Sequence, residues 1–96
     1  MVQPSSVHVL SGMELQAVSP YLESAYHSGK GHGPLFIGML KGEWQSVPDA
    51  TQVDLARRIG ESLRHAGVSE LMLVDGRRKL QVHYRGGQLV YPVASD

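Results

Sequence analysis

Ninety-six residues are enough for one small domain, and a chain of that size buries roughly 60–65% of its unfolded surface, which allows one core and not two. Nine basic and nine acidic residues give a formal net charge of zero. That argues against general nucleic-acid binding, where a basic domain is expected. The lack of cysteine excludes disulfides and thiolate metal sites. At 42% hydrophobic and 19% charged the composition is that of a globular chain rather than a disordered one. A near-neutral surface is prone to self-association. No apolar run approaches the roughly 18–20 residues that span a bilayer, so no membrane insertion is expected. The start, MVQPSSVHVL, lacks the basic stretch of a signal peptide, so the expected location is cytoplasmic, and the composition fits a bacterial origin.

In chain order, residues 1–6 read as a loose terminus and Val7-His8-Val9-Leu10 is too short to classify. Ser11-Gly12-Met13-Glu14 has the spacing of a capping box, in which a hydroxyl and a carboxylate satisfy free amides at a helix start. Leu15, Val18, Leu22, Ala25 and Tyr26 then recur three and four apart, which predicts helix to about His27. Pro20 either kinks that helix or opens a second one with Ser19 as its N-cap. Residues 28–34, SGKGHGP, form a connector. The run LFIGML at 35–40 predicts a strand covered on both faces. Lys41-Gly42 makes a turn, residues 43–47 return antiparallel, and Pro48 ends them.

The longest helical pattern covers residues 49–67, with Asp49 as the expected N-cap and Gln52 at its capping-box position. Val53, Ala56, Ile59, Gly60 and Leu63 share its apolar face, and Gly67 is the stop. A mid-helix glycine costs about 1 kcal/mol relative to alanine, so Gly60 implies that the sheet or a partner helix comes close. Three strand patterns follow at 70–74, 80–85 and 88–93, the last two joined by Gly86-Gly87.

Numbering the five expected strands from residue 35, and pairing the first with the fifth, gives an α+β domain. Its five-stranded antiparallel sheet has the order 2-1-5-4-3, with a long crossover helix and an N-terminal helix. Strands 2 and 3 lie on opposite edges, and the helix supplies the link of about a dozen or more residues that they need. Residues 70–74 are then an apolar edge, which invites pairing with another chain. Leu71, Met72 and Leu73 of that edge, with Arg57, Gly60 and Arg64 of the helix, are the candidate interface.

Other candidates are weaker. SGKGHG at 28–33 is like a phosphate-binding loop only in glycine content, since it follows a helix, leads into a strand, and has no Ser or Thr after Lys30. Arg77-Arg78-Lys79 is the one basic cluster; with Lys30 it supplies candidate anion contacts, against the commoner reading as a solvated turn. Histidines 8, 27, 32, 65 and 83 show no ligand spacing. No catalytic constellation stands out. No cofactor or metal is expected.

The pattern GPLFIGMLKGEWQSVP, the long helix, and ELMLVDGRRKLQVHYRGGQLVYPV together resemble the roadblock-type dynein light chain family and its bacterial relatives, over residues 11–94. Two departures are the Lys-Gly turn, where that family more usually has Asp-Gly, and the lack of a counterpart to its last helix. The resemblance implies a homodimer formed by edge-strand pairing and helix packing, often a scaffold or regulator of small Ras-like GTPases. The leading expectation is therefore a non-enzymatic, homodimeric regulatory or scaffold module. The alternatives are a small-ligand or nucleotide-binding domain using the glycine loop and basic turn, and a secretion chaperone, whose usual acidic balance is absent.

Overall fold

A computed structural model describes residues 7–28 and 35–92 of the chain. The expected loose terminus and the glycine connector with Lys30 and His32 therefore lie outside the described residues. The elements are β1 (Val7–Val9), α1 (Gly12–Val18), β2 (Leu22–Ser28), β3 (Leu35–Leu40), a 3-10 turn (Gly42–Ser46), α2 (Asp49–His65), β4 (Glu70–Val74), β5 (Leu80–Arg85) and β6 (Gln88–Tyr91).

The domain is α+β, as expected, but its sheet is different. Six strands lie in the order β1-β2-β3-β4-β5-β6. Neighbours are antiparallel except for β3 and β4, which run parallel with Ile37 opposite Met72. The long helix thus joins two adjacent central strands rather than two edges. The expected edge strand, residues 70–74, is interior, hydrogen-bonded to β3 on one side and β5 on the other.

Three local features account for that difference, the first being that residues 7–9, too short a run to classify from sequence, form strand β1 against β2. Leu22 and Ala25 are three apart yet both buried, in a strand and not a helix, because the β2–β3 register shifts between Leu22 and Ser24. Such a bulge returns residues of odd spacing to one face and imitates a helical period. Pro20, which disfavours helix before it, falls in the turn between α1 and β2. The expected return strand at 43–47 is a 3-10 turn instead: Trp44 and Val47 are both buried, and a spacing of three matches that helix while a strand would split them between faces. Without a strand there, β3 pairs with β2.

Helix starts also divide. Ser11 and Glu14 form the full capping box: the Glu14 N–H donates to Ser11 Oγ at 3.3 Å, and the Ser11 N–H to Glu14 Oε1 at 2.9 Å. At α2 the N-cap is Pro48, with no side-chain cap. Asp49 is the first helical residue, where its charge suits the helix dipole. Gln52 reaches elsewhere, donating from Nε2 to the Trp44 carbonyl at 2.8 Å.

Both helices lie on one side of the sheet. There Phe36 and Leu40 of β3, Leu71 and Leu73 of β4, and Val82 and Tyr84 of β5 meet Ala56, Ile59 and Leu63 of α2. Trp44 closes the end of this core, fully buried, with its ring edge against Tyr21 at 5.5 Å. Side chains buried to this degree stabilise by about 1.5–3 kcal/mol each. The close approach expected at Gly60 comes from the chain's own sheet, since a Cβ there would fall on the Tyr84 ring.

Candidate functional site

The face of the sheet opposite the helices is the most informative surface, because among the described residues nothing covers it. The strand register aligns one residue from every strand across it: Val9, Tyr26, Ile37, Met72, His83 and Tyr91. Val9, Ile37 and Met72 are aliphatic, and Tyr26, His83 and Tyr91 present flat rings. Val9, Tyr26 and Tyr91 are 71%, 44% and 41% exposed. Met39 and Val74 stand beside this row on one side. With Ser24, Tyr26, Ile37 and Arg78 they line a hollow of about 390 Å³. On the other side the face turns polar. Glu70 sits opposite Arg85, and its carboxylate meets His83 Nε2 at 2.7 Å. Exposed apolar residues scattered singly need no explanation, whereas a contiguous apolar patch on an uncovered face makes a candidate interaction site.

The residues singled out from sequence are dispersed by the fold. Leu71 and Leu73 face the helices, 1% and 0% exposed, and cannot form the edge contact expected of them. Met72, between them, is the member of that trio on the open face. Gly60 is buried under Tyr84, while Arg57 and Arg64 are exposed on α2. The open-face residues Tyr26, Ile37, Met39 and His83 were missed. The available signal was the unbroken apolar run LFIGML, which predicts a strand covered on both faces and finds cover on one.

Arg77, Arg78 and Lys79 form the turn between β4 and β5, whose backbone is organised around Asp75. The Asp75 carboxylate accepts from the Arg77 N–H at 2.8 Å and the Lys79 N–H at 2.9 Å. The Lys79 amide bond first, and then that of Arg77, holds its pKa below the ordinary carboxylate value. A folded pKa below the unfolded one stabilises above the unfolded value, and the gain is lost as pH falls through the folded value. Asp75→Asn is therefore expected to lower the urea midpoint at pH 7, with the difference from wild type shrinking below about pH 4, where the wild-type carboxyl also protonates.

A smaller groove of about 220 Å³ lies under α1, lined among others by His8, Glu14, His27, Phe36 and Leu63. The Ser11 amide, and after it His8, whose Nε2 meets the carboxylate at 2.9 Å, lower the pKa of the exposed Glu14. His27 stands opposite His8 in the β1–β2 register, and its Nε2 is buried without a partner among the described residues. A buried, unsatisfied polar atom costs about 1–3 kcal/mol. His27→Leu is expected to raise stability by roughly 1 kcal/mol or more, read as a higher urea midpoint at an unchanged slope. Among the described residues no three His, Asp or Glu side chains are placed to hold a metal ion, and no helix is long and apolar enough to cross a membrane.

A third concavity, about 420 Å³, lies between α2 and the β5–β6 hairpin, lined by Arg57, Glu61, Tyr84, Gly87, Gln88 and Leu89. The Tyr84 hydroxyl donates to the Glu61 carboxylate. Burial, reinforced by that carboxylate, raises the Tyr84 pKa, so the phenol keeps its proton. In comparison with known proteins, no family model matches the chain, and neither a curated protein nor a solved structure matches it.

Proposed function

We propose that this chain is a non-enzymatic protein-interaction module that works as a homodimer, with two copies stacking their open sheet faces, in a scaffold or regulatory role. The single observation that carries this reading is the row Val9–Tyr26–Ile37–Met72–His83–Tyr91 on an uncovered face. The row has three residues on each side of the β3–β4 junction. A two-fold axis along the strands at that junction sets Ile37 over Met72 of the second copy, Tyr26 over its His83, and Val9 over its Tyr91. Stacked sheets lie about 10 Å apart, which leaves room for such side chains to interdigitate. Zero net charge means no long-range repulsion opposes the approach.

Six strands at about 4.8 Å and four to five residues at about 3.3 Å make a face of roughly 29 by 16 Å. Two of them remove on the order of 1,000 Å² from solvent, the size of a reversible interface with a dissociation constant in the micromolar range. The resemblance adds a small Ras-like GTPase or related protein as a second partner. The observed sheet order differs from the one it implies, so the open face is the support for this reading. Sedimentation of the wild type against Ile37→Lys and Met72→Lys tests it: a concentration-dependent dimer that both variants dissolve is expected, and a monomer throughout rejects it.

A further inference from the structure

The cleft between α2 and the β5–β6 hairpin plays no part in the open-face dimer, and its charges are arranged for a ligand of their own. Arg57, Glu61 and Arg64 are four and three residues apart, so they follow one another along a single face of α2. In that order a carboxylate would ordinarily neutralise the guanidinium on either side of it. Here Glu61 is drawn to the Tyr84 hydroxyl, and neither Arg57 nor Arg64 forms an ion pair among the described residues, whereas Arg58 on the outer face is paired with Asp54 at 3.1 Å.

One glycine makes the space, and a second marks the turn that a cation lies against. Gly60 lets the Tyr84 ring sink against the helix backbone. Gly87, at φ +82°, leaves the Arg64 guanidinium over the hairpin turn, its Nε 3.4 Å from where a Cβ would stand. Leu89 and Tyr84 line the cleft together with Arg57, and Arg64 stands at its Gly87 edge.

We infer that this cleft binds a small organic anion, with its carboxylate or phosphate on Arg64 beside the Gly86-Gly87 turn and its apolar body over Leu89 and Tyr84 toward Arg57. Planar guanidinium forks bind such oxyanions bidentately, and a small apolar floor adds affinity for the body the anion carries. Tyr84 has a positioning role, holding Glu61 off the arginines.

The test is an amide and arginine side-chain NMR titration of the whole protein at fixed ionic strength, with inorganic phosphate, phenyl phosphate and benzoate as probes. Saturable shifts at Gly86, Gly87 and the Arg64 side chain are expected, with at least one aryl probe binding more tightly than inorganic phosphate. Which aryl probe saturates first tells phosphate from carboxylate. Arg64→Gln should weaken that binding about tenfold, the factor a charge-assisted hydrogen bond supports, and Arg58→Gln, an equal loss of charge on the outer face, should leave it unchanged. The inference is overturned if no probe saturates, if the shifts lie elsewhere, or if both variants lose the same affinity. Tyr84→Phe should also weaken binding while the fold persists, because it frees Glu61 to neutralise the arginines; unchanged binding would remove the positioning role and leave the anion site standing.

Discussion

Gly60→Val should destabilise the domain by about 3 kcal/mol, the upper end of the range for overpacking a filled site. For a chain of this length that lowers the melting temperature by roughly 12–24 °C. The side chain has no room: a Cβ alone at Gly60 falls on the Tyr84 ring, which is itself 4% exposed and whose hydroxyl donates to the Glu61 carboxylate. Valine adds two methyl groups in the same direction, and the better helix propensity of a non-glycine residue returns only a few tenths of a kcal/mol. Tyr84→Ala on its own should cost about 3–5 kcal/mol by opening a cavity. The double variant should cost clearly less than the two singles together, because each change relieves the other. Urea denaturation of the four proteins measures all of this. An additive cycle would mean that the helix does not cross the sheet over Tyr84.

The second large effect concerns association. Ile37→Lys and Met72→Lys place an ammonium in the middle of the open face, on strands whose buried partners, Phe36, Leu71 and Leu73, point the other way. Both side chains are only partly exposed, so each lysine should cost the monomer about 1 kcal/mol and leave it folded. Dimer affinity should fall about a hundredfold or more, because an unpaired charge would be desolvated where a hydrocarbon had been buried. Leu73→Lys is the contrasting control. It enters the helix-covered core, fully buried, and should unfold the chain rather than dissociate it.

What could be read from the sequence was local. The Ser11–Glu14 capping box, the span and apolar face of α2, the crowding at Gly60 and the strands at 70–74 and 80–85 all follow from spacing over fewer than about twenty residues. The rest failed where two local structures share one spacing. Leu22 and Ala25 mark a bulged strand that reads as a helix, and Trp44 and Val47 mark a 3-10 turn that reads as a strand. One hides a strand and the other adds one, β1 is too short to be recognised from sequence, and the sheet order follows: without β2, β3 lacks its true neighbour and residues 70–74 fall at an edge. The open face was hidden for another reason. A strand that is apolar on both sides looks the same whether its second cover is a helix of its own chain or another molecule. The cleft beside the hairpin joins residues 57–64 to 84–89 and needs the register to be seen at all.

The central claim is that a second copy covers the open face of the sheet, and sedimentation equilibrium from about 1 to 100 µM, the range that brackets a weak interface of this size, tests it most directly. The expected result is a reversible monomer–dimer equilibrium for the wild type and for Arg64→Gln, and a monomer at every concentration for Ile37→Lys and Met72→Lys with far-ultraviolet spectra unchanged. A wild type that stays monomeric throughout, or a dimer that survives both lysines, would contradict it.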